Sequence, residues 1–135
     1  MLPEGFTVEL IDEVIYWKNA SGNISEQDAL IIATHIKEII ATRAVRAVLV
    51  DNRNLYGVWA PEVDKIWIDL MTYIPNHVNR TATLCQNPIN KLQLNYLSSQ
   101  AGTTDSVKAF TESERLEMEN FLNLSIMNTS ILETR

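Results

Sequence analysis

Apolar and polar positions alternate through Phe6, Val8 and Leu10, and a β-rich run, Val14-Ile15-Tyr16-Trp17, follows Asp12-Glu13. This pattern predicts an opening β-hairpin turning at the two acids. Ser21-Gly22-Asn23 then breaks the chain. Ser25 stands three residues before Asp28, a variant of the capping box, and predicts a helix reaching about Thr42. Its inward stripe is Ala29, Ala33, Ile36 and Ile40; Leu30, Ile32 and Ile39 widen it, so both flanks are expected to be covered.

Val45 and Ala47-Val48-Leu49-Val50 form a short apolar run ending in Asp51, the pattern of a central strand buried on both faces. Pro61 suits a first helical turn, and Val63, Ile66, Trp67, Leu70, Met71 and Ile74 recur at helical spacing until Pro75-Asn76. Thr81 to Cys85 predict another strand, and Pro88 opens a helix carrying Ile89, Leu92, Tyr96 and Leu97 that Gly102 stops. Val107 to Phe110 predict a last strand, and Thr111 with Glu114 caps a final helix through Leu116, Met118, Phe121 and Leu122. The expected fold is α/β in the order β-β-α-β-α-β-α-β-α, a mixed, mostly parallel sheet of about five strands with packed helices.

At 135 residues the chain fits one core, expected over residues 1–124, with 125–135 as a C-terminal tail or helix extension. Ile126, Met127, Ile131 and Leu132 give that tail enough apolar character to pack against a second copy, or to fray in solvent. Hydrophobic residues at 46% and charged residues at 21% match a folded globular chain and argue against disorder. The net charge of −6, with no basic run, makes nucleic acid a poor partner. The longest apolar run, Ala29 to Ala33, falls far short of the ~20 residues of a spanning helix, so no transmembrane segment is expected. One cysteine, Cys85, and a start lacking the features of a secretion signal point to the cytoplasm.

His35, His77 and Cys85 lack metal-ligand spacing, so no metal is expected. His35 reads as a solvated helix residue, His77 as a loop residue and Cys85 as a small buried hydrophobe. Glycines at only four positions, 5, 22, 57 and 102, cannot build a phosphate-cradling loop, and no nucleophile elbow is present. Neither a cofactor nor an enzymatic activity is expected.

Asp51 ends the central strand, where open α/β sheets place sites, yet an Asp there also accepts hydrogen bonds from the turn that follows. The next segment gathers Arg53, Leu55, Tyr56, Val58 and Trp59. Three readings stand: Leu55 and Trp59 cap the core, Arg53, Tyr56 and Trp59 form an exposed anchor patch, or the segment roofs a pocket for a small apolar ligand with Trp67 as a wall. The candidate ligand- or partner-binding set is Asp51, Arg53, Tyr56 and Trp59 with Glu62 at the helix start, where unpaired backbone donors gather.

The hairpin start, Gly22 before the first helix, Val48-Leu49-Val50-Asp51, Arg80-Thr81-Ala82-Thr83-Leu84 and Val107-Lys108-Ala109-Phe110 before a closing helix together resemble the SpoIIAA-like family, a branch of the STAS (sulfate transporter and anti-sigma factor antagonist) fold. The resemblance spans nearly the whole chain. It implies a bacterial, non-enzymatic regulatory domain working through a protein partner or a small apolar ligand, with homodimerisation open to it. It also implies a phosphorylatable Ser or Thr beside the strand-end acid; this chain has Asn52, Arg53 and Asn54, so control by phosphorylation is not expected there. Met118 stands where the family's last helix has a small residue. The alternative is a small lipid or hydrophobic-ligand carrier of the related CRAL-TRIO type.

Overall fold

The computed structural model describes residues 2–20, 24–54 and 59–123. Strands β1 (Thr7–Ile11) and β2 (Val14–Lys18) form the hairpin, joined by Asp12 and Glu13, whose φ angles of 52° and 68° give the turn twist that two-residue hairpins favour. Helix α1 (Glu26–Thr42) starts at Ser25, whose Oγ accepts from the Asp28 N–H at 3.1 Å. Strand β3 (Ala47–Asn52) is buried along its whole length. Helix α2 (Pro61–Tyr73) opens on Pro61, leads into β4 (Arg80–Cys85), and α3 (Pro88–Ala101) follows under an Asn87 cap. Strand β5 (Val107–Thr111), a turn of 3-10 helix with the Thr111–Glu114 capping box, and α4 (Arg115–Leu122) complete the described chain.

The sheet runs in the order β1-β2-β3-β4-β5, with β1 antiparallel to β2 and the other three pairings parallel. Each parallel crossover steps one strand in the same direction, and right-handed crossovers then place their helices on one side. The core divides accordingly. On one face Ile15, Trp17, Val48, Val50 and Cys85 pack with residues of α1, α2 and α3; on the other Val14, Tyr16, Leu49, Ala82 and Leu84 pack with Met118 and Leu122 of α4. Met118 is fully buried there, where Ala82 of β4 leaves room for a long side chain.

The element order expected from the pattern is the order observed, but two helix faces differ from the expectation. Leu30 is 49% exposed, so α1 is covered on one flank only. Of the four apolar residues that the pattern gives α3, Leu97 faces inward beside Leu94 and Ser98, while Ile89, Leu92 and Tyr96 are 74%, 68% and 63% exposed. Polar bonds set this rotation. β5 is an edge strand, and α3 covers its backbone: the Ala109 N–H donates to Asn95 Oδ1 at 2.9 Å, and Ser98 Oγ donates to the Val107 carbonyl at 2.7 Å. Turning Asn95 and Ser98 inward to satisfy that edge turns the apolar stripe out. The break at Ser21-Gly22-Asn23 and the tail 125–135 lie outside the described residues.

Candidate functional site

The carboxyl end of β3 carries an ionic knot. Asp51 and Arg53 are only 3% and 6% exposed. The Arg53 fork grips the Asp51 carboxylate, Nε on Oδ1 and Nη2 on Oδ2, each at 2.9 Å, and the Arg53 backbone N–H adds a third bond to Oδ1 at 3.1 Å. Arg53 Nη1 also reaches Glu112 Oε2 at 2.9 Å, and Arg115 Nε donates to Glu112 Oε1 at 2.6 Å. The end of β3 is thereby tied to the turn before α4, 59 residues on. Burial works against the Arg53 charge, but the bonds to Asp51 and Glu112 outweigh it and raise its pKa.

Glu112 shows the reverse balance. Burial pushes its carboxyl up, and the hydrogen bonds from Arg115 and Arg53 overcome that and hold it below the usual carboxylate range. Nearby, the bond from Lys91 at 2.8 Å, then that from the Thr111 N–H, lowers Glu114 as well. A folded pKa below the unfolded one means that these pairs contribute fully above the unfolded Glu value of about 4.3 and are lost as pH falls through the depressed native values. Acid unfolding followed by circular dichroism should therefore steepen below about pH 4.3, and less so in a Glu112→Gln variant. An unchanged acid limb in that variant would remove Glu112 from the linkage. Its side chain is half exposed, so the effect is expected to be modest.

Beside the knot lies a second, neutral network. Trp17 Nε1 donates to Asn19 Oδ1 at 2.6 Å, Asn19 Nδ2 donates to Asn52 Oδ1, and the Asn19 N–H bonds the Asp51 carbonyl at 3.1 Å. The chain's three tryptophans gather here. Trp59, 8% exposed, meets Trp67 edge-on at a centroid distance of 6.1 Å, and Trp17 meets Trp67 at 5.6 Å. Between them, α2, α3 and the sheet lies a partly enclosed cavity of about 40 Å³. Its floor is low because Thr81 and Thr83 of β4 and Val107 of β5 stand where larger side chains would fill the layer.

Of the five residues singled out in the sequence, Asp51 and Arg53 are brought together and locked to each other. Trp59 is on the core side, over the cavity, and Glu62 is exposed in the first turn of α2. Tyr56 lies outside the described residues. The strand order contains no reversal, so a crevice at a topological switch point, one reason for looking beside Asp51, has no counterpart in this sheet. Sequence reading missed Glu112 and Arg115, which only the fold brings to β3, and Trp17, Asn19, Thr81 and Thr83. The alternation Thr81-Ala82-Thr83-Leu84-Cys85 was the available signal: it puts small and polar groups on the helix-covered face.

Burial pushes the Cys85 thiol up to about 12, so it stays protonated near neutrality. Among the described residues no three His, Cys, Asp or Glu side chains come together in a metal-holding group, and no helix is long and apolar enough to cross a membrane.

This architecture is the SpoIIAA-like, STAS-related fold. The structure is similar to the anti-sigma factor antagonist SpoIIAA in its unphosphorylated form, with a TM-score of 0.58 and 16% identity over 85% of this chain and 96% of that one. It is similar to an uncharacterised DUF3478 protein with a SpoIIAA-like fold from Shewanella loihica, with a TM-score of 0.60 and 15% identity over 86% and 91%. The Bacillus cell fate determinant SpoIIAA in its phosphorylated form matches with a TM-score of 0.55 and 16% identity over 84% and 97%. No protein-family model and no curated protein sequence matches the chain.

Proposed function

We propose that the protein is a non-enzymatic regulatory module that binds a protein partner or a small ligand at the end of the sheet where β3 gives way to α2. The observation that carries the reading is the ionic knot: the charged side chains at this strand end hold one another and tie the end of β3 to the turn before α4. A preorganised surface of this kind favours recognition by lowering the ordering cost of binding. The fold supports it too, since SpoIIAA is an anti-sigma factor antagonist. Asp51 and Arg53 serve as the positioning base, Tyr56 and Glu62 belong to the working surface, and Trp59 supports it from the core side. Control comes from the partner or ligand rather than from phosphorylation beside Asp51, and the site of action is the cytoplasm.

Native mass spectrometry of the protein isolated from its source organism tests this reading. The expected result is a defined complex with one protein, weakened by Glu62→Lys at an unchanged melting temperature. A co-purifying lipid-sized molecule would favour the CRAL-TRIO-like carrier instead, and a complex indifferent to Glu62→Lys would place the surface elsewhere.

A further inference from the structure

Two residues that line the cavity each carry a buried polar atom without a hydrogen-bond partner among the described residues: Trp67 has Nε1, a donor, and Thr81 has Oγ1, a donor and acceptor. Trp67 is 5% exposed and Thr81 4%, so neither residue has ready access to bulk water. Leaving such groups unpaired is costly, and native interiors keep few of them. Of the other polar side chains at this wall, Asn19 and Asn52 are bonded to each other and to Trp17. Thr83 adds a hydroxyl to the floor, and the rest of the lining is apolar, the faces of tryptophans with Leu70 and Met71 among it. Among the described residues no charged side chain lines it.

From this juxtaposition we infer that the cavity is a binding site for a small neutral molecule with an apolar body and one oxygen-bearing head, a ketone or alcohol, whose oxygen accepts from Trp67 Nε1 and bonds the Thr81 hydroxyl. Size and chemistry set the class. A volume of about 40 Å³ takes only the head group and leaves the apolar body at the open side of the cavity; a dry cavity that encloses benzene is nearer ~150 Å³. An ionised ligand would be stripped of water with no countercharge to meet it. A buried water makes two to four bonds and would reach the same two atoms, so it is the competing occupant. An oxygen carried on carbon makes the same two bonds and sets its carbon against the tryptophan rings. The inference names the small-ligand arm of the binding function proposed above and rests on it.

Titration of the protein with 2-butanone tests the site, read at the three Trp indole N–H resonances by NMR, with Trp67→Phe identifying the Trp67 signal. A saturable shift of the Trp67 indole proton is expected, and Thr81→Val should weaken the probe by about five-fold, the worth of one neutral hydrogen bond. Thr81→Val keeps the shape and removes a buried unpaired hydroxyl, so its melting temperature should equal or exceed the parent's. A linear, non-saturating shift overturns the inference. So does an affinity untouched by Thr81→Val, or a long-lived water at the Trp67 indole that saturating probe does not displace. Any of these with partner capture still sensitive to Glu62→Lys leaves the regulatory reading standing and removes only the ligand.

Discussion

Arg53→Ala is expected to lower the melting temperature by about 10–18 °C, the equivalent of ~3–5 kcal/mol in a domain of this size. The substitution strips two charge-assisted bonds from an Asp51 carboxylate that is 3% exposed, and it frees Glu112 from β3. What remains is a charge taken out of water with its principal partner gone, the costly half of a broken buried pair. Arg53→Lys should recover only part of the loss, because an ammonium cannot match the two-pronged geometry. The double variant Asp51→Asn with Arg53→Leu should be more stable than Arg53→Ala alone, since removing both charges removes the desolvation penalty with them. Calorimetry across this cycle measures the coupling. A loss below about 1 kcal/mol for Arg53→Ala would mean that the knot does not hold the strand end.

How much of this could be read from the chain depends on the range of the interaction. The hairpin at Asp12-Glu13, the cap at Ser25, Pro61 at a helix start and the Thr111–Glu114 capping box are set by neighbours within a few residues, and each was legible. The rotation of α3 was not. Ile89, Leu92 and Tyr96 offer a better apolar stripe than a face containing Asn95 and Ser98, and periodicity alone selects the wrong side. The deciding term is the unsatisfied edge of β5, which exists only once the sheet has formed. The site divides in the same way. Asp51 and Arg53, two residues apart, could be suspected together, but Glu112 and Arg115 join them only through the β5–α4 turn. The alternation along β4 hinted at a hollow, yet its roof, Trp59 and Trp67, comes from a different part of the chain.

The tryptophan cluster yields the second large effect. Trp59→Ala should cost about 3–5 kcal/mol, the range for deleting a buried aromatic side chain, with a matching fall in melting temperature. Trp59 covers the cavity and packs edge-on against Trp67, so its loss opens the hollow over Thr81 and Thr83 to water and removes an aromatic pair worth about 1 kcal/mol beyond its area. Trp59→Phe keeps part of that contact and should fall between the two. Emission should shift to the red in Trp59→Ala, because Trp17 and Trp67 become wetter as the cover is lost. Tyr56→Ala provides the contrast: a partner anchor at that position would lose more than about 1 kcal/mol of binding while melting like the parent. A Trp59→Ala protein that melts normally and loses its partner would transfer Trp59 from the core to the contact surface. Normal melting with the partner retained would deny it both roles.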